Sequence, residues 1–151
     1  MLRLALLALL TSSAVAGAAE VIETEGKGVQ VYTCVPGPGG FGWRPKGPEA
    51  VLTNKAGTVV GTHFAGPSWQ AKDGSMVTGE VVSSAVGEAG AIPWLVLRGA
   101  SHAGRGLFAT VTFVVRTRTS GGLAPAEGCD GAHAGQDVRV PYTAAYTFFP
   151  G

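Results

Sequence analysis

The residues with the clearest potential for chemistry lie in the middle of the chain, where His63 is followed by Trp69 and then by Asp73. A histidine and a carboxylate are common partners in general acid–base catalysis, so His63 with Asp73 or Glu80 is the candidate pair of a small secreted hydrolase. The competing interpretation is structural, because the Asp-Gly dipeptide that begins at Asp73 favours a tight turn and a tryptophan is usually buried. The sequence therefore favours a protein without enzymatic activity, with the small secreted hydrolase as the alternative.

The three histidines of the chain, His63, His102 and His133, are scattered along it. They form neither an HxH nor an HExxH pattern, and a zinc site needs several ligands that converge on the metal. No serine stands in a GxSxG elbow, and no glycine-rich segment joins a strand to a helix as a phosphate-binding loop requires. We therefore expect no metal site and no cofactor.

Aromatic side chains give the best case for binding. Trp43, Trp69, Trp94 and Tyr142 are candidates for a flat platform that would hold sugar rings or a peptide. Trp43 is the strongest of them, because it stands in a glycine- and proline-rich segment (FGWRPKGP) that indicates a loop. Trp94 opens an apolar segment, so we expect it in the core. The candidate ligand-binding residues are Trp43, His63 and Trp69, with the alternative that Trp43 plugs one end of the fold.

The segments that must position these residues have the pattern of β-strands. Polar and apolar residues alternate along residues 29–35, 107–119 and 137–149, whereas helical periodicity is nearly absent after the first residues. Hairpin turns are indicated at residues 54–57 and 72–74. The segment 107–119 is the clearest strand. Its alternation predicts a core-facing set of side chains that consists of Leu107, Ala109, Val111, Phe113 and Val115.

About seven to nine short strands with turns between them predict an all-β fold. The expected architecture is an antiparallel β-sandwich or flattened barrel, formed by a single domain at residues 20–151 with one disulfide. Pro141 lacks the N–H that a strand donates to its neighbour, so the last strand should lie at an edge or carry a bulge there.

Residues 1–19 have the pattern of a secretory signal peptide. Arg3 is followed by an apolar run at residues 4–10 and then by small residues that suit signal peptidase, such as the AGA stretch at residues 16–18. The run is shorter than the ~20 residues that a membrane-spanning helix needs. We therefore expect export to the periplasm or the extracellular space, without a membrane-spanning segment.

The charge of the expected mature domain disfavours some classes of partner. The chain has 11 Lys and Arg and 10 Asp and Glu, and one basic residue, Arg3, lies in the expected signal peptide. A neutral domain has no electrostatic attraction to nucleic acid or to an anionic membrane. We expect a monomer whose partner is unknown, with a glycan or another envelope component as the candidate.

The two cysteines, Cys34 and Cys129, both belong to the expected mature domain. In an oxidising compartment one pair most simply forms one disulfide, and this pair lacks the CxxC spacing of a redox motif. The bond would connect the first strand to a loop just before the last one. It would close a loop of about 95 residues, which corresponds to about 4–5 kcal/mol in the chain-entropy model.

Several stretches of the sequence resemble the motifs of one known family. They are GVQVYTC at residues 28–34, GTHFAGPSWQ at 61–70 with DGS at 73–75, AIPWLVL at 91–97, and VPYTAAYTFF at 140–149. The family is the one catalogued as domain of unknown function 3455, and the resemblance covers nearly the whole expected mature chain. It implies a secreted protein without an established activity, in which Cys34 and Cys129 belong to the family pattern as a structural disulfide would. Gln70 stands where the family often has an acidic residue, which weakens a general-acid role there.

Overall fold

A computed structural model describes Gly17 and residues 19–151, whose regular secondary structure is almost entirely β-strand. The strands are β1 (Ile22–Gly37), β2 (Gly40–Thr53), β3 (Val59–Phe64), β4 (Ser68–Ala71), β5 (Met76–Ala85), β6 (Trp94–Ala103), β7 (Val111–Gly121) and β8 (Asp137–Pro150), with a short 3-10 helix at Gly131–His133. The predicted signal peptide at residues 1–19 lies outside the described residues, apart from Gly17 and Ala19. Within the described residues, no helix has the length and apolar character that crossing a membrane requires.

The strands form one antiparallel sheet that closes into a barrel, so the predicted all-β antiparallel fold is confirmed in its barrel form. Each strand pairs with the next along the chain, and β8 pairs with β1 to close the ring, with Ile22 opposite Phe148. The predicted turns after β2 and β4 are also present. Gly57 and Gly74 occupy them with φ of 78° and 89°, a conformation that glycine adopts without steric cost.

The barrel interior is filled by large side chains. Trp69, Phe108, Tyr146 and Phe148 are fully buried. Phe108 and Phe148 stack with ring centroids 4.4 Å apart, and Trp69 meets Phe148 edge-on at 5.9 Å. Smaller apolar residues complete the core, among them Leu52, Val77, Leu97, Val111 and Val114. The described part of the barrel is thus packed by side chains, as is usual for a barrel with this few strands.

The side chains of β7 do not alternate as the sequence predicts. The strand begins at Val111, and residues 107–110 form turns before it. A register irregularity between Val111 and Phe113 shifts the alternation, so that Val111 and Val114 are buried while Phe113 is 44% exposed. The predicted core face was therefore wrong at Leu107, which lies in a turn before the strand, and at Phe113, where an irregularity in the ladder changes which side chains face inward after it.

β8 has strand neighbours on both sides along most of its length, but Pro141 itself pairs only with Val29 of β1, so the predicted sheet edge is present locally at this residue. The ladder between β7 and β8 ends at the pair Gly121–Tyr142. One residue further, the Gly122 N–H donates to the Pro141 carbonyl at 3.0 Å, but Pro141 has no N–H to donate to Gly122 in return. The Tyr32 hydroxyl donates to the Gly122 carbonyl instead. The buried Tyr32 hydroxyl thus supplies the hydrogen bond that Pro141 cannot donate to the Gly122 carbonyl.

The barrel wall is uneven because β3 and β4 are short. β2 pairs with β3 from Ala50 to Thr53, so the first part of β2 extends past β3 as one arm of a long hairpin with β1. The predicted disulfide is confirmed near the end of this hairpin. Cys34 on β1 is bonded to Cys129 in the loop before β8, with Cα atoms 5.4 Å apart. We call residues 34–43 the hairpin tip.

Candidate functional site

His63 and Trp69 occupy opposite positions on β3 and β4, and their side chains both lie inside the barrel. Their rings stack with centroids 4.4 Å apart and an interplanar angle of 3°. The Tyr146 ring on β8 meets His63 edge-on at 4.9 Å. His63 is 3% exposed and Trp69 is 1% exposed. The structure therefore brings these two candidate residues together, in the core rather than at the surface.

The surroundings of His63 keep its imidazole neutral at physiological pH. Burial is the main cause, because it lowers the pKa of His63 to about 4, and the charge of Arg116 acts in the same direction. The His63 Nδ1–H donates to the Ser68 carbonyl at 2.8 Å, which favours the charged form but does not offset burial. This bond also assigns the tautomer, because a carbonyl oxygen can only accept.

Asp73 uses both of its carboxylate oxygens in structural hydrogen bonds. Oδ1 accepts from the Ser75 N–H at 2.9 Å and from the Ser75 hydroxyl at 2.6 Å, which closes the turn after β4. Oδ2 accepts from the Leu107 N–H at 2.8 Å, and the Ser75 hydroxyl oxygen accepts from the Phe108 N–H at 3.0 Å. These bonds to Asp73, the one from the Ser75 hydroxyl first, lower its pKa. Asp73 thus ties this turn to the segment before β7.

Glu80 lies on the exposed part of β5 and forms a salt bridge with Arg98, which stands directly opposite on β6. Both side chains are more exposed than buried. Among the described residues, the hydrogen bond of His63 goes to Ser68, and neither Asp73 nor Glu80 is bonded to it. Each carboxylate of the candidate hydrolase pairs is therefore engaged away from the histidine.

Trp43 lies on β2, opposite Cys34, and not in a loop as its sequence indicates. The segment is a strand because it pairs with β1 to the end of the hairpin, despite its glycines and prolines. The Trp43 Nε1–H donates to the Glu127 carbonyl at 3.0 Å, and the side chain is half-buried. Phe41 precedes it by two residues on the same face of the strand and is 42% exposed. The two rings therefore form one aromatic surface at the hairpin tip.

The loop that contains Cys129 is fastened to β1 by more than the disulfide. The Cys34 N–H donates to the Gln136 carbonyl, and the Gly135 N–H donates to the Cys34 carbonyl, both at 2.8 Å. With the Trp43–Glu127 bond, these contacts hold the loop against one face of the hairpin tip. The aromatic surface is therefore anchored at several points of the chain that are far apart in sequence.

Glycines stand where this loop passes the two rings. A Cβ at Gly128 would lie 3.8 Å from the Trp43 ring, and a Cβ at Gly131 would lie 3.6 Å from the Phe41 ring. Since glycine has no side chain to cover them, the rings stay partly accessible. The hairpin tip carries a shallow depression of about 460 Å³ whose lining includes Phe41, Trp43 and Pro45.

The other candidate platform aromatics are placed elsewhere. Trp94 was expected in the core, but it begins β6, is 37% exposed, and donates from Nε1 to the Glu88 carboxylate at 2.8 Å. The prediction was wrong because β6 starts in a part of the sheet that extends past the packed interior. Tyr142 is buried inside the barrel, where its hydroxyl lies 3.0 Å from that of Tyr146. Trp43 and Trp94 are thus the candidate aromatics that reach the surface.

Sequence reasoning missed a polar cleft that crosses the outer surface of β1, β8 and β7. Its volume is about 390 Å³. Its lining includes charged side chains from three parts of the chain: Glu23, Glu25, Lys55 and Arg118. Arg118 has a φ of 47° because a bulge interrupts β7 between Thr117 and Ser120. No sequence signal marks this bulge, since threonine and arginine alternate evenly through it.

Comparison with known proteins gives one family. The sequence model described as "Protein of unknown function (DUF3455)" matches residues 15–150, almost the whole chain. No curated protein and no solved structure matches the chain significantly. A functional inference therefore has to rest on the geometry of the molecule itself.

Proposed function

The chain belongs to the DUF3455 family of proteins of unknown function, and we propose that it is an exported, non-enzymatic binding domain that recognises a glycan through the hairpin tip. The observation that carries this proposal is the aromatic surface of Phe41 and Trp43. The two rings stand on one face of β2, beside the disulfide, where the hairpin extends past the short strand β3.

Export is supported by two independent features. Residues 1–19 carry the charged, apolar and small-residue regions of a signal peptide, in that order. The Cys34–Cys129 disulfide is of the kind that persists in oxidising compartments such as the periplasm or the extracellular space. Removal of the signal peptide would leave one barrel domain, which we propose acts as a monomer.

A binding role is supported over hydrolysis by the way the candidate catalytic groups are used. His63 is a neutral core residue, Asp73 holds two segments of backbone together, and Glu80 is paired with Arg98. A general acid or base must reach the proton that it transfers, at about 2.6–3.2 Å. Each of these groups would have to leave its present partners, or the core, before it met a substrate.

A glycan suits the hairpin tip because of the groups that meet there. The flat, CH-rich face of a sugar ring packs on an aromatic ring, and nearby polar groups hydrogen-bond its hydroxyls. Phe41 and Trp43 supply the rings, while Glu127 and His133 are exposed polar side chains of the adjoining loop. The disulfide and the Trp43–Glu127 bond hold the rings in place before the ligand arrives, which reduces the entropy lost on binding.

The test is binding to an array of neutral and acidic oligosaccharides, followed by titration calorimetry with the best binder. We expect Phe41→Ala and Trp43→Ala each to weaken the affinity about tenfold or more. Trp94→Ala is the matched control, because Trp94 is also an exposed tryptophan with a hydrogen-bonded indole but lies on β6.

Phe41→Ala is the decisive variant, because Trp43→Ala also removes the hydrogen bond to Glu127 and thereby loosens the loop. The far-ultraviolet circular dichroism and the thermal unfolding of each variant should match those of the parent protein, which excludes a general loss of folding. The proposal fails if no oligosaccharide binds, or if Phe41→Ala binds as well as Trp94→Ala does.

A further inference from the structure

The polar cleft has the form of a small binding site rather than of a flat charged surface. Its floor is Ala145, which lies on the outer face of β8 between Glu25 on β1 and Thr117 on β7. Ala145 is 7% exposed although its side chain faces outward from the barrel, because taller side chains stand on both sides of it. Lys55, in the turn between β2 and β3, closes one end.

The bulge in β7 is what directs Arg118 to this cleft. Arg116 stands opposite Tyr146, whose side chain faces the interior, so regular alternation would also place the side chain of residue 118 inside. The bulge inserts one extra residue, after which Thr119 takes the inward position and is 2% exposed. Thr119 is held there by its N–H and its hydroxyl, which both donate to the Glu88 carboxylate at 3.0 Å. Arg118 is left exposed on the outer face, where it lines the cleft.

The charges of the cleft are only partly paired with one another. Lys55 forms a salt bridge of 2.8 Å with Glu23. Across the part of the chain that the structure describes, neither Arg118 nor Glu25 belongs to a salt bridge. The pKa of Glu23 is lowered chiefly by Lys55 and to a smaller extent by Arg118, so the field of Arg118 reaches across the cleft. One cation and one anion therefore remain available on opposite sides of the same small floor.

We propose that this cleft binds a small zwitterion of the α-amino acid type. Arg118 would take the ligand carboxylate, because a guanidinium donates two parallel hydrogen bonds to a carboxylate. Glu25 would accept hydrogen bonds from the ligand ammonium group. A simple anion would meet the two carboxylates of the cleft, and a simple cation would meet Arg118. The cleft thus favours a molecule that carries both charges close together.

This inference does not rest on the glycan proposal, because the two surfaces are far apart. Glu25 lies near the start of β1 and Cys34 near its end, a separation of roughly 30 Å at the usual rise of a strand. The cleft and the hairpin tip share no lining residue. Failure at one surface therefore leaves the other proposal standing.

The experiment is titration calorimetry of residues 20–151, oxidised, with a panel of free L-α-amino acids at millimolar concentration. For the best ligand, the N-acetyl derivative removes the cation and the methyl ester removes the anion. We expect the free amino acid to bind and each derivative to bind about tenfold more weakly or worse. Comparable binding of the free acid and both derivatives would overturn the proposal, as would the absence of binding by every amino acid.

Variants locate the site independently of the ligand chemistry. Arg118→Gln and Glu25→Gln should each lose affinity, and Ala145→Leu should abolish binding by filling the floor without changing the charge. The matched control for the loss of a positive charge is Arg105→Gln, which removes one exposed guanidinium outside the cleft lining. If Arg118→Gln binds the amino acid as tightly as Arg105→Gln does, the cleft is not the site.

Discussion

His63 and Trp69 stack almost parallel inside the barrel, with 3° between their ring planes and 4.4 Å between their centroids. The stack shows how the core accommodates an imidazole. One ring nitrogen donates to the Ser68 carbonyl, and the indole covers one face of the ring. His63, the histidine that the sequence suggests for catalysis, is thus a neutral side chain of the packed interior. The stability of the barrel should therefore depend on His63 staying in its neutral form.

We predict that the free energy of unfolding falls as the pH drops from about 7 to about 5, by about 2 kcal/mol from His63 alone. The pKa of His63 is about 4 in the folded state and about 6.5 in the unfolded chain, so the unfolded state binds more protons between these values. Urea denaturation at a series of pH values measures this. His63→Asn, whose side-chain amide can donate an N–H from about the position of Nδ1 but does not titrate, should lose most of the dependence. Equal slopes for the variant and the parent protein would refute the assignment.

We predict that removal of the disulfide with Cys34→Ala and Cys129→Ala lowers the free energy of unfolding by about 4–5 kcal/mol. The bond closes a loop of 95 residues, so its loss restores much conformational freedom to the unfolded chain. Urea denaturation of the double variant against the oxidised parent measures the difference. Glycan affinity should fall as well, because the hairpin tip loses its anchor. A double variant as stable as the parent would contradict this expectation.

We predict that Asp73→Ala accelerates hydrogen exchange at the Leu107 amide, whose N–H donates to the Asp73 carboxylate at 2.8 Å. The Phe108 amide should follow, because the Ser75 hydroxyl that accepts from it is itself held by Asp73. Exchange measured by nuclear magnetic resonance gives both rates. Asp137→Ala is the matched control, since that aspartate bonds to Thr33 and Lys46 instead. Unchanged exchange at Leu107 in Asp73→Ala would show that the tether does not protect this segment.

We predict that Arg118→Asn raises the free energy of unfolding by about 0.5–1 kcal/mol. A residue with a long side chain is disfavoured at a φ of 47°, whereas asparagine tolerates that region more easily. Thermal and urea denaturation measure the gain, and Arg105→Asn in an exposed loop is the control. Amino acid binding should be lost in the same Arg118 variant. A loss of stability would mean that the guanidinium stabilises the fold more than the backbone strain costs.

The sequence was sufficient to predict the fold class because alternation with period two depends on local patterning alone. It was also sufficient for the disulfide, which an expected oxidising compartment and a count of two cysteines together favour. The sequence did not predict which side chains of β7 point into the barrel. Register irregularities at Val111–Phe113 and Thr117–Ser120 exchange the inward and outward positions there. Bulges of this kind depend on pairing with the neighbouring strand, which composition does not reveal.

The candidate sites were harder to predict because they, too, depend on how neighbouring strands pair and on how the barrel closes. The glycine and proline neighbours of Trp43 indicate a loop, yet pairing with Cys34 in the β1–β2 hairpin makes the segment a strand. The apolar segment that Trp94 opens predicts a core position, yet Trp94 is the first residue of β6 and is 37% exposed. The cleft at Arg118 is formed by residues of β1, β7, β8 and one turn, so it exists only in the closed barrel.

The most direct test of glycan binding at the hairpin tip uses the three tryptophan indole N–H signals of the ¹⁵N-labelled protein, which belong to Trp43, Trp69 and Trp94. Titration with the best oligosaccharide should shift the Trp43 signal and leave those of Trp69 and Trp94 in place, because the ligand contacts the hairpin tip and does not enter the barrel. A shift of the buried Trp69 signal, with Trp43 unchanged, would contradict binding at the hairpin tip and place the ligand beside His63 instead.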